Sequence, residues 1–217
     1  MYTHFFKHID IKPENANVLA GDAEDLKAEC DRYEAKIKSY GGIELLVTGV
    51  AADGGIGANE PGSSLASRTR IKTLSYSTVV TLQQRFESDA PQDANEAAAA
   101  KSARILGSNT PSKALTMGVG TMMESREWLL LATGVAKSVA LKHAVEEGLN
   151  HMWACSNLQA HPRALVLCDD AATSELRVRT VRYFKTLEKI HDAALGERGS
   201  PATGQSLEGG DSKRQRV

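Results

Sequence analysis

Residues 43–61 read Ile43-Glu44-Leu45-Leu46-Val47-Thr48-Gly49-Val50-Ala51-Ala52-Asp53-Gly54-Gly55-Ile56-Gly57-Ala58-Asn59-Glu60-Pro61. The first eight are short and nearly all apolar, which suits a strand covered on both faces, as in a parallel sheet. The strand empties into a glycine-rich loop that bears two acids. Upstream, Leu26, Cys30, Tyr33, Ile37 and Tyr40 recur at steps of four and three, which predicts a helix over 23–40 with one apolar stripe. Asp22 is the expected N-cap, and Gly41-Gly42 supplies the stop.

The same alternation continues downstream. Ser67 to Leu74 reads as a strand, and Ser77 can cap a helix through Val79, Val80, Leu82 and Phe86. Trp128 to Ala132 is a second buried strand, followed by a helix carrying Val135, Val139, Leu141, Ala144 and Val145. Ala164 to Cys168 is a third, opening onto Asp169-Asp170, and a last helix carries Leu176, Val178, Val181, Phe184, Leu187 and Ile190. Strands alternating with helices imply βα units, hence an α/β domain with a mostly parallel sheet flanked by helices. The domain is expected over 1–195. Residues 89–108 form an alanine-rich, low-complexity insertion, and 196–217 a disordered tail with nothing apolar to bury.

The 217 residues suffice for one such domain. Hydrophobic residues make up 41% and charged residues 24%, enough for a packed core. With 26 basic against 27 acidic side chains, no overall field favours nucleic acid or an anionic membrane surface. The apolar run from Trp128 to Leu141 is broken by Gly134 and Lys137 and is too short to span a bilayer. Cys30, Cys155 and Cys168 are scattered without metal spacing, and the start lacks a signal-peptide core, so a reduced cytoplasmic setting is expected. The six histidines show no metal spacing either, and Asn150-His151-Met152-Trp153 reads as a packed, hydrogen-bonded turn.

In an open parallel sheet, ligands collect beyond the carboxyl ends of the strands. The loop after Val50 has that address. Its glycines allow close backbone approach, and Asp53 and Glu60 put two carboxylates at the rim, able to divide acid and base roles. The same residues also fit an ordinary loop in which Asp53 caps a turn and Glu60 faces water. Lys137 is expected in the first turn of the helix after Gly134, where a cation opposes the helix dipole unless an anion sits over the free N–H groups. A lysine simply reaching off the helix is the alternative. Arg68, Arg70 and Lys72 share one face of an extended segment and repel each other unless an anion neutralises them, although such a row also serves as a solvated sheet edge.

The loop Asp53 to Pro61, the run Ser63 to Leu74, Leu115-Thr116-Met117-Gly118-Val119-Gly120-Thr121, Asn150-His151-Met152-Trp153 and the stretch Glu175 to Phe184 closely resemble the glucosamine-6-phosphate deaminase family. The resemblance implies a Rossmann-like fold and conversion of glucosamine 6-phosphate to fructose 6-phosphate and ammonia without a cofactor or metal. The implied steps are ring opening, aldose–ketose proton transfer and loss of the amine. It assigns Asp53 and Glu60 to the family's two loop carboxylates, Lys137 and Arg85 to the substrate phosphate, and Ser63, Arg70 and Lys72 to an allosteric sugar-phosphate site between subunits. It also implies a homo-oligomer, commonly a hexamer.

Three departures accompany the likeness. The chain begins where family members are about a third of the way along, so the first βα portion, with its phosphate loop and proton-transfer aspartate, is expected to be lacking. Gly55 stands where the family has its ring-opening histidine, and Ala58 where it has an aromatic. A general base contributes about 10²–10⁴-fold in rate, so these losses predict impaired turnover. The alternative is a regulatory, sugar-phosphate-binding relative that joins an active enzyme's oligomer. Lack of the first portion further predicts an uncovered apolar sheet face and an unpaired edge strand.

Overall fold

The computed structural model describes residues 2–88, 111–196 and 215–216. The insertion expected over 89–108 and most of the tail lie outside the described residues. Helix α1 spans Leu26–Ser39. Its N-cap is Asp25 rather than Asp22: the carboxylate accepts from the N–H groups of Lys27 and Ala28, the reach a capping oxygen needs. Past its end, Gly41 and Gly42 take positive φ angles of 83° and 101°, and their N–H groups close back on Lys38 and Ile37.

Strand β1 (Leu45–Gly49), β4 (Glu127–Ala132) and β5 (Ala164–Cys168) form the main sheet, all parallel, with β4 central. Leu46 lies opposite Trp128, and Leu130 opposite Val166. Gln215–Arg216 (β6) pairs antiparallel with β5. A separate antiparallel pair joins β2 (Arg70–Thr73) to β3 (Lys113–Thr116). Between them runs α2 (Tyr76–Ser88), headed by Ser75, whose hydroxyl accepts from the Thr78 N–H; Ser77 does not hold the cap position. Helices α3 (Val119–Met123), α4 (Ser138–Val145) and α5 (Val178–Gly196) complete the α/β framework.

The core lies on one face of the sheet. Leu46, Trp128, Leu130, Ala132 and Val166 turn toward Met122 of α3, Ala140 and Leu141 of α4, and the turn Ala154–Ala160. Trp128, buried to 1% exposure, satisfies its Nε1–H on Thr48 Oγ1 at 2.8 Å. The apolar run of β1 predicts cover on both faces, and the structure corrects this: Leu45 and Val47 remain 53% and 52% exposed. Side chains alternate across a strand, so the second face bears its own apolar set whether or not a layer lies over it. No described helix is long and apolar enough to cross a membrane.

Candidate active site

The register that sets Gly49 beside Leu131 and Ala132 beside Cys168 brings the carboxyl ends of β1, β4 and β5 into one row. From that row emerge the Asp53 loop, the Gly134–Lys137 turn and Asp169. This is the address at which an open parallel sheet receives a ligand.

The Asp53 loop is built rigidly. Gly54 N–H bonds to Ala51 O and Ala51 N–H to Gly55 O, both at 2.9 Å. Gly54 has φ +78°, and a Cβ there would lie 2.4 Å from Trp153 Cε3, so glycine is required twice over. Trp153 stacks on His143 of α4 with centroids 3.8 Å apart, and Gly54 O accepts the Cys155 N–H. The Asn150–Trp153 stretch is thus the hydrogen-bonded turn its sequence suggests, serving as a floor for the loop. Burial pushes the Cys155 thiol up to about 12, which makes it a packing group. On the other side, fully buried Asn59 donates to Ile56 O and Met117 O, and Thr116 Oγ1 accepts the Ala58 N–H.

The two loop carboxylates face different surroundings. Asp53 is exposed at the rim, and its Oδ1 accepts its own loop's Gly55 N–H at 3.0 Å. Glu60 is only 8% exposed and turns to the head of α2. There it accepts from Ser75 N–H, Ser75 Oγ–H and the Thr78 hydroxyl. Burial disfavours its charge, but those donors and nearby Lys72 prevail and hold the carboxyl below its ordinary range. Glu60 therefore does not face water, and no hydrogen bond joins it to Asp53 among the described residues. Between the two acids sits buried Gly55, where a Cβ would meet Asp53 Oδ1 at 3.0 Å and Asn59 O at 3.2 Å.

Lys137 ends the turn Val135–Lys137 and occupies the N-cap of α4, one residue before the first helical turn in which its sequence places it. The first turn of α4 holds no acid, and no side chain caps it. Gly134, at φ +84°, is pinned by Asp169, whose two carboxylate oxygens both accept its N–H at 2.9–3.0 Å while Oδ1 also takes Ala172 N–H at 2.8 Å. Half-buried Lys137 has no ion-pair partner among the described residues. A helix N-terminus with an adjacent unneutralised ammonium fits a phosphate, and its uncapped N–H groups are the donors such a group takes. Asp169 escapes sequence reasoning because only the strand register puts it beside Gly134. Its available signal was its place directly after an apolar strand.

Of the remaining expected residues, Arg85 lies in α2, but its side chain lies outside the described residues. Arg68 precedes β2 and pairs with Glu34 and Glu124 at 2.5 and 2.6 Å, so its charge is answered within the chain and the row of three cations shrinks to Arg70 and Lys72. Burial pushes the Arg70 guanidinium down, and its one described hydrogen bond goes to Arg68 O. Ser63 is 2% exposed, with its hydroxyl unpartnered in the described structure. Among the described residues no cluster of His, Cys, Asp and Glu could hold a metal.

Comparison with models of protein families finds no match. Against curated proteins, the chain is 50% identical over 192 residues to glucosamine-6-phosphate deaminase 2 of Bos taurus and of Homo sapiens, covering 88% of this chain and 63% of each relative. It is 49% identical to human glucosamine-6-phosphate deaminase 1 over the same share of this chain and 61% of that one. The chain thus spans a little under two thirds of the length of these relatives. Among solved structures, a monomeric glucosamine-6-phosphate deaminase of the NagB superfamily superposes with a TM-score of 0.68 at 35% identity, over 81% of this chain and 65% of that one. Half-identical to these deaminases across 192 residues and superposing on a solved one, the matched part of this chain is similar to a little under two thirds of a glucosamine-6-phosphate deaminase.

Proposed function

We propose that the carboxyl edge of β1 and β4 is a glucosamine 6-phosphate site and that the chain serves the deaminase reaction, yielding fructose 6-phosphate and ammonia. The observation that carries this reading is the juxtaposition of the rigid Asp53 loop with an uncapped helix N-terminus that bears Lys137. In this assignment Lys137 and the α4 N–H groups grip the phosphate, and Arg85 is assigned to the same group. Asp53, exposed and ionisable, moves protons at the sugar. Glu60 ties the loop to α2, so that the second carboxylate supports the site from behind, and with Gly55 beside it the loop holds no imidazole to open the ring. Spontaneous ring opening then feeds the later steps, and turnover is slow. Ser63, Arg70 and Lys72 are assigned to a second sugar-phosphate site; Lys72 acts on Glu60, which links the two sites electrostatically. A homo-oligomer in a cytoplasmic setting belongs to the same proposal, the latter in accord with three free, buried cysteines.

The half-identical relatives, named as deaminases, support the enzyme over a purely regulatory relative. The test is release of ammonia and fructose 6-phosphate from glucosamine 6-phosphate. Turnover above a Lys137→Ala control supports the proposal, and binding without turnover above that control assigns the regulatory role instead.

A further inference from the structure

Helix α5 carries Arg182, Lys185 and Lys189 at steps of three and four, which sets them on one face over two turns, a row about 10 Å long. Lys185 reaches Asp170 only at 3.9 Å, with the two side chains 49% and 65% exposed, a pair too solvated to neutralise it. Arg182 and Lys189 have no ion pair among the described residues. The row borders a depression of about 510 Å³ bounded by α5 and by the turn Ala171–Thr173, which lies just past the end of β5. Leu176, Val178 and Val181 form its apolar wall, and no acid among the described residues lines it. Leu176 is buried in the core, while Val178, the first residue of α5, is 73% exposed.

Small-molecule clefts run to about 300–1,000 Å³ and set a few polar groups against apolar walls, so this depression has the size and the make-up of one. Three like charges on one helix face repel unless an anion meets them. They offer donors to more than one phosphate: a guanidinium fork at Arg182, then ammonium groups about one and two turns further on. A single phosphate is too short for a row of that length, whereas a chain of phosphates can follow it. A bare polyanion would leave the apolar wall wet, so the ligand also carries an apolar body. Three cations fall short of the roughly four to eight that mark a protein face for an anionic membrane.

We infer that this groove is a nucleoside polyphosphate site, with the phosphates on Arg182, Lys185 and Lys189 and the base over Leu176, Val178 and Val181. It shares no lining residue with the Lys137 turn and does not rest on the proposed deaminase reading.

The probe is ATP, titrated calorimetrically without magnesium into the full 217-residue chain at physiological ionic strength, with inorganic tripolyphosphate and adenosine as parallel arms. The expected result is one saturable ATP site, weakened tenfold or more by Arg182→Ala and by Lys189→Ala, with both parallel probes at least tenfold weaker than ATP. Lys27→Ala removes the same charge at an 81% exposed side chain on α1 and should leave ATP binding unchanged, as should Lys137→Ala. Both replaced residues on α5 are exposed, and thermal unfolding matching the parent chain shows that the variants fold. Absence of ATP binding overturns the inference. So does ATP binding that Lys137→Ala abolishes and Arg182→Ala spares, because the anion then sits at the head of α4. Tripolyphosphate or adenosine binding as tightly as ATP also overturns it, because one half of the groove then takes no part.

Discussion

Replacing Glu34 by glutamine removes the one charge that joins α1 to the segments before β2 and α3. Its carboxylate accepts from Thr69 N–H at 2.9 Å, Thr69 Oγ at 2.5 Å, Thr121 Oγ at 2.6 Å and Arg68 at 2.5 Å, with the side chain 19% exposed. Burial raises the energy of the charge, yet Thr121, Thr69 and Arg68 together overcome it and hold the carboxyl at about 2, against an ordinary 4.5. At about 1.4 kcal/mol per pH unit, that difference is worth about 3 kcal/mol of folding free energy. The sign follows from linkage. A depressed folded value contributes in full above the unfolded 4.5 and is lost as the pH falls toward about 2. Glutamine does not titrate. Urea unfolding at pH 7 should therefore show Glu34→Gln less stable by about 3 kcal/mol, with the gap roughly halved at pH 3. A loss under about 1 kcal/mol at pH 7, or a gap that stays constant with pH, refutes the reasoning, since an exposed pair contributes no more than that.

Gly54→Ala forces an L side chain to positive φ and drives Cβ against Trp153, so it should lower stability by about 3 kcal/mol in thermal unfolding and loosen the loop at Asp53. Leu130→Ala, at a fully buried position on the central strand, should cost about 2–5 kcal/mol in the same assay. Asp169→Asn removes the charge that pins Gly134. We expect weaker glucosamine 6-phosphate binding by calorimetry, and loss of the wild-type advantage as pH falls below the ordinary 3.8 of that carboxyl, whose hydrogen bonds to Ala172 and Gly134 hold it low. At Gly55→His the new Cβ comes to 3.0 Å from Asp53 Oδ1, 3.2 Å from the Asn59 carbonyl and 3.7 Å from Ala51 Cβ, so the loop must give by a few tenths of an ångström; the variant should raise ammonia release by about 10²-fold or more if ring opening limits turnover.

The sequence carries local pattern well and distant partners poorly. The stripe of α1 declares itself because burial on one side imposes the helical period, and the run Ala164 to Cys168 by its unbroken apolarity, although only Val166 and Cys168 of it are buried. β3 does not: four residues alternate too briefly to register, and its pairing with β2 spans some 40 positions, as Ile71 with Leu115. Glu60 reads as a rim acid because it sits between Asn59 and Pro61 in a glycine-rich loop, whereas its donors Ser75 and Thr78 lie 15 and 18 residues away. Asp25 and Asp22 are equal candidates for a cap on composition, and only the helix start decides between them. The bare face of β1 is likewise silent in sequence, since an apolar run states what a strand can bury and not what covers it. That Asp53 and Lys137 share one sheet edge is legible, because both follow apolar strands and parallel neighbours place such positions together.

Calorimetric titration of glucosamine 6-phosphate into the wild-type chain and Lys137→Ala decides whether the phosphate sits at the head of α4. Saturable binding that weakens by tenfold or more in the variant is the predicted result, the scale of one charge-assisted contact. Equal affinity in the two proteins contradicts the account, because the phosphate would then lie away from α4.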